Sequence, residues 1–148
     1  MPANPLLALI LICLGGVAVA VQAPINAALG RSVGSGLAAA ALSFGVGFAA
    51  LIVLSLATAG GTPFAKAAGV PLWQLAGGLL GAYYVWSVIF GVPGLGVLTA
   101  LAAMILGQLV AGLVLDHIGA FGLPVQPVSL RRIAAVALVA AGLLLSRS

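Results

Sequence analysis

Side chains able to do chemistry are few in this chain. Its 148 residues include one acidic residue, one His and one Cys. The acid is Asp116, and no Glu occurs. No nucleophile with its base, and no metal-ligand set, can be drawn from Cys13, Asp116 and His117. An enzyme is therefore not expected, nor a metal or a cofactor. Cys13 stands inside an apolar run and reads as a small buried or lipid-facing residue. What remains is a set of uncharged polar and aromatic side chains within long apolar stretches. Gln22 and Asn26 are four residues apart, so they share one helix face, and Pro24 lies between them. Pro24 has no N–H and crowds the carbonyl of Ala20, so a helix through it should kink or open. Amides are costly in hydrocarbon without partners, so this face should point inward. It is either glue between helices or a substrate-contacting or gating site. Polar groups beside a broken helix favour the second.

Four more residues extend the set. Ser43 and Trp86 lie towards the same side of the apolar layer as Gln22, and Tyr83 lies near its middle. Gln108 lies towards the opposite side. Trp86 also reads as a belt anchor at a membrane boundary, as Trp73 does more strongly. Asp116 and His117 form either a proton-linked or gating pair, since His titrates near neutrality, or a helix-end and loop contact. Charges at an interface cost little, which favours the loop contact.

The elements that must position these residues are legible from composition. Only 4% of the chain is charged and 64% is hydrophobic, against about 25% and 45–50% in a soluble domain. That excludes a soluble enzyme, a nucleic-acid-binding domain and a disordered tail, and makes lipid the solvent for most of the surface. Five segments are long enough to cross it, near residues 5–29, 36–59, 72–92, 94–115 and 130–145. They are continuous apolar runs without alternation, so the spacing predicts an all-α membrane protein in a single integral domain. Gly30-Arg31-Ser32, Gly60-Gly61-Thr62-Pro63 and Gly91-Val92-Pro93-Gly94 punctuate them. The last is short enough to make helices 3 and 4 antiparallel neighbours. The first run ends in small residues that resemble a leader cleavage site, but residues 1–5 carry no Lys or Arg, so cleavage is not expected. Small-residue pairs, Ser43 with Gly47, Gly77 with Gly81 and Ala103 with Gly107, predict close helix contacts. Gly47, Gly81 and Gly107, with Pro24, also offer the bending that a moving element needs.

Five crossings place Lys66, Asp116, Arg131 and Arg132 on one side and Arg31 and Arg147 on the other. Three basic residues against two is little for orientation to be read from, so either one weakly specified orientation with the Lys66 side in the cytoplasm or insertion both ways is expected, and the short chain favours the second. Copies inserted both ways would pair as an antiparallel dimer and supply the inverted repeats that many transporters carry within one chain. The inverted copy would bring its Gln108 to the depth of Gln22 in the first.

The stretch Gln22-Ala-Pro-Ile-Asn-Ala-Ala-Leu-Gly resembles the QxPxN signature of YdcZ-type proteins, five-helix members of the drug/metabolite transporter superfamily. Ala41-Leu-Ser-Phe-Gly-Val-Gly, Gly78-Leu-Leu-Gly-Ala-Tyr-Tyr-Val and Gly107-Gln-Leu with Asp116-His117-Ile118-Gly119 match further motifs in order, Ile118 standing where an aromatic residue is usual. The resemblance implies a half-transporter of the bacterial inner membrane that completes itself by inverted pairing, as the related small multidrug resistance proteins do. Those relatives carry an essential glutamate in their first helix, and this chain has none. Proton-coupled export of cationic drugs is therefore not carried across. The combined expectation is a secondary transporter that moves a small neutral or weakly polar solute, aromatic ones included, by alternating access. Gln22, Asn26, Ser43, Tyr83, Trp86 and Gln108 would contact it. The alternative is an accessory subunit that assembles with a paralogous partner and transports nothing alone.

Overall fold

The computed structural model describes residues 5–67 and 69–147. Residues 1–4, on which the reading against a leader rests in part, lie outside them. The described residues are helical, with no strand among them: α1 Pro5–Val33, α2 Gly36–Ala59, α3 Thr62–Ala67, α4 Leu72–Ile118, a 3-10 turn at Ala120–Gly122, and α5 Leu130–Leu145. Among the described residues, three helices are long and apolar enough to cross a membrane: Leu6–Val33, Gly36–Ala59 and Leu72–Ile118. The 16 residues of α5 extend about 24 Å at 1.5 Å per residue.

Three boundaries differ from the sequence expectation. Gly30-Arg31-Ser32 does not end α1, which continues to Val33. The chain turns instead at Gly34, whose φ of 72° is open to glycine at no steric cost. The Ser35 N–H then donates to the Gly30 carbonyl at 3.1 Å, the six-to-one bond of a Schellman end. The Ser35 hydroxyl in turn accepts from the Ala38 N–H at 3.2 Å and caps α2. The segment 62–67, expected as loop, winds into α3, with Pro63 in the first turn where its missing N–H costs nothing. Helical structure also runs through Gly91–Gly94. The break falls at Gly96, where φ 76° and ψ 163° are outside every helical region. A straight 47-residue helix would be about 70 Å long, over twice the hydrocarbon thickness. The break leaves about 24 and 22 residues on its two sides, each a bilayer-length piece.

The chain divides into two compact units, one ending at Pro93 and the other beginning at Gly94. In the first, α1, α2 and the leading part of α4 pack around Ala39, Ala40, Val85 and Ile89, with Leu29 and Tyr84 against them. The helices approach where side chains are smallest. A Cβ on Gly30 would lie 3.1 Å from Ile89 Cγ2, and one on Gly36 would lie 3.2 Å from it. The predicted small-residue contacts are filled only in part. A Cβ on Gly81 would meet the ring of Phe44 at 3.6 Å, whereas one on Gly47, Gly77 or Gly107 would meet, among the described residues, nothing within 4 Å beyond its own stretch of helix. Large apolar side chains such as Ile12, Val46, Leu79 and Phe90 point outward and are more than 70% exposed. This is the pattern of a chain whose solvent is lipid, where apolar surface has no drive to hide.

In the second unit, the buried Thr99 hydroxyl donates to the Ser146 carbonyl at 3.0 Å. The connection between α4 and α5 is tied at several points. Asp116 pairs with Arg132. Arg132 Nη1 donates to the Gln126 carbonyl at 3.1 Å, and the Gln126 N–H donates to the Asp116 carbonyl at 2.8 Å.

Candidate functional site

The two amides of α1 border one slit, and only Gln22 also reaches a larger recess. Asn26 is 6% exposed and lies with Gln22, Tyr84 and Val88 in a slit of about 10 Å³. That volume holds one water at most. Asn26 therefore sits in the contact between α1 and α4 and lines neither of the larger recesses described next. Gln22 is exposed and also faces a recess of about 290 Å³ with Ser43, Phe44, Gly47 and Phe48. Pro24 is exposed as well, and α1 stays helical through it and does not open. The Ala20 carbonyl is left without an N–H donor four residues on, because proline has none.

Along α2 a second recess follows, about 320 Å³, lined by Leu37, Ala40, Ala41, Phe44, Ala82, Tyr83 and Trp86. Its polar partners are few and its aromatic surface is large. Tyr83 and Trp86 have ring centroids 6.0 Å apart at 40°, and Trp86 and Phe90 are 5.9 Å apart at 23°. Both separations are within the range of attractive aromatic pairs. Trp86 also borders a recess of about 430 Å³ with Arg31, Ser35 and Phe90, at the turn between α1 and α2. Phe44 is the residue common to the amide-lined and the aromatic recess.

Gln108 belongs to the second unit. It lines a recess of about 210 Å³ with Gly112, Asp116 and Arg132. The spacing 108, 112, 116 puts the three α4 residues on one helix face. Asp116 takes Arg132 as its partner, and His117 Nδ1 accepts the Val128 N–H at 3.4 Å. Asp116 thus reaches across the connection to the first turn of α5, and His117 accepts from the connection itself. No group of three metal-ligating side chains occurs among the described residues.

Three residues were missed by the sequence reading. Arg132 is the partner of the lone acid, and with so few charges that pairing was available from sign and loop length alone. Tyr84, rather than Tyr83, lines the slit beside Asn26, which follows from helix rotation and carries no sequence signal. Phe44 was noted only within a motif. Its place between two recesses depends on Gly81 lying across from it.

The family described as "Putative inner membrane exporter, YdcZ" matches residues 7–145. The inner membrane protein YdcZ of Escherichia coli strain K12 is 37% identical over 54 residues, which cover 36% of this chain and 36% of that protein. The match thus spans about a third of that relative's length. No solved structure matches the chain. Since the family match runs from the first helix to the last, this multi-pass inner-membrane chain belongs to the YdcZ family.

Proposed function

We propose that the chain is one half of an exporter that moves a small uncharged solute across the inner membrane by alternating access, completed by an inverted second copy. One observation carries the reading. Gln22 and Ser43, both within apolar membrane-length helices, converge on one recess of about 290 Å³. An amide and a hydroxyl facing open space in hydrocarbon cost free energy unless something polar visits them. A packing role would have closed the gap, as it has around Asn26. Neither the amide recess nor the aromatic one contains a charged side chain, so the solute that suits them is neutral. Outward movement is taken from the family description. Pairing with an inverted copy is supported by the three-to-two split of basic residues and by Gly47, Gly77 and Gly107, where an added Cβ would meet, among the described residues, nothing within 4 Å beyond its own stretch of helix. In the inverted copy Gln108 joins the depth of Gln22.

Proteoliposomes loaded with a panel of small neutral, cationic and anionic solutes test this. The expected result is release of one or more neutral solutes, reduced at least tenfold by Gln22→Leu. Release confined to ions, or release indifferent to both Gln22→Leu and Ser43→Ala, would overturn it.

A further inference from the structure

The two recesses along α2 differ in chemistry and share one wall. The upper, bounded by Tyr83 and Trp86, offers ring faces and almost no polar surface. The lower, bounded by Gln22 and Ser43, offers an amide and a hydroxyl. Phe44 borders both, 40% exposed, with its ring over Gly81 at the 3.6 Å that a Cβ there would contact. Each recess alone, at about 320 and 290 Å³, is near the lower bound of small-molecule sites, roughly 300–1,000 Å³. A solute lying across Phe44 would use both.

We infer that Phe44 divides a single amphiphile-binding cleft, in which the Tyr83–Trp86 recess takes a planar aromatic ring and the Gln22–Ser43 recess takes an uncharged hydrogen-bonding head. This rests on reading the first unit as the solute-binding part and names the class of solute. The head must be uncharged, because an ion would lose its hydration with no counter-charge in the lining. A planar ring suits the recess because Tyr83 and Trp86, which pair with each other at 6.0 Å, both line it with aromatic surface on which a flat ring stacks. A lipid tail fits less well: it gains nothing from Gln22 or Ser43 and leaves them unpartnered. The ring of Phe44 keeps the two chemistries apart, so the cleft selects for molecules that carry both.

The test reads binding, not transport. In the full chain with Trp73→Phe, Trp86 is the one remaining tryptophan. Dansylamide, a planar ring with an uncharged hydrogen-bonding head, accepts tryptophan emission. 1-(Dimethylamino)naphthalene is a comparable ring without the head. The expected result in nanodiscs is saturable quenching of Trp86 by dansylamide at lower concentration than by the headless ring. Gln22→Leu should weaken dansylamide about tenfold, the worth of one lost buried hydrogen bond, and leave the headless ring unchanged. Tyr83→Leu should weaken both. Phe44→Ala should strengthen the headless ring and so shrink the difference, while Phe44→Leu keeps it. Helical circular dichroism and monodisperse elution establish that each variant is folded, and Gln22→Leu with Tyr83→Leu carries the test if Phe44→Ala is not.

Equal response of both probes to Gln22→Leu would overturn the divided cleft. So would quenching that never saturates, the mark of lipid in the groove, or quenching seen only when the protein is kept monomeric, the mark of a second copy covering it. If dansylamide binds as expected but no solute crosses proteoliposomes, the transport reading falls and the cleft stands. If solutes cross but neither probe distinguishes Gln22→Leu, the cleft falls and transport stands.

Discussion

At the scale of single residues, glycine separates two roles that look alike in sequence. Gly30 and Gly47 both lie within apolar helices. At Gly30 a Cβ would meet Ile89 Cγ2 at 3.1 Å, with Gly36 Cα and Ala39 Cβ behind it. The methyl it meets is on a β-branched side chain with one strongly preferred helical rotamer. Gly30→Val should therefore lower the thermal unfolding midpoint in detergent, with an overpacking cost of about 1–3 kcal/mol. Gly47→Ala meets nothing within 4 Å and should raise the midpoint, by up to about 1 kcal/mol of helix propensity. An unchanged midpoint for Gly30→Val would mean that α1, α2 and α4 do not pack as described. The tight contacts fell at a turn signal and not at the small-residue pairs, because a four-residue spacing marks a smooth face without saying whether another helix reaches it. The amides show the same limit. That Gln22 and Asn26 share a face was legible, and that one faces open space while the other is packed was not. Their separation depends on how far α1 is rotated against Tyr84.

At the scale of elements, the legible part was what composition and length control. Helical class followed from uninterrupted apolar runs, and α2 and α5 kept their expected limits, since Ser35 and Ser129 cap them. What was not legible depended on backbone geometry at glycine. Gly91, Gly94 and Gly96 are equal candidates for a break in sequence, and only Gly96 adopts φ 76°. A non-glycine residue is strained there, so Gly96→Ala should destabilise the fold by about 1–3 kcal/mol in the same thermal assay, more than Gly94→Ala. The connection after α4 follows the same logic. Gly119 has φ 60°, and a Cβ on it would come within 2.7 Å of Val125 Cγ2 and 3.0 Å of the Leu123 carbonyl. The Asp116–Arg132 pair is about a third exposed on each side, so on its own it is worth about 1 kcal/mol or less. Gly119→Ala should accordingly raise amide hydrogen exchange over residues 119–128 strongly, and Arg132→Ala weakly. The reverse order would make the ion pair, and not the turn, the element that holds this loop.

At the scale of the whole molecule, the argument turns on how the chain sits in the membrane. On the five-crossing topology expected from the sequence, Lys66, Arg131 and Arg132 stand against Arg31 and Arg147. Insertion reads Lys and Arg near helix ends and takes little account of acids, so the pairing of Asp116 with Arg132 does not alter the count. One added cation should therefore tip it. Thr62→Lys, at the exposed start of α3, adds to the side of Lys66 and should fix that side in the cytoplasm, leaving a C-terminal tag reachable only from outside. Ser32→Lys combined with Lys66→Ala shifts the balance the other way and should turn the tag inward. The native chain should be labelled from both faces. Each one-way variant alone would then lack its inverted partner and lose solute release, and co-expressing the two should restore it. A one-way variant that keeps full activity alone would remove the antiparallel pair from the mechanism while leaving the solute cleft of the first unit untouched. The cleft is built from α1, α2 and α4 of a single chain, whereas the dual insertion that the pairing requires depends on the distribution of five basic residues.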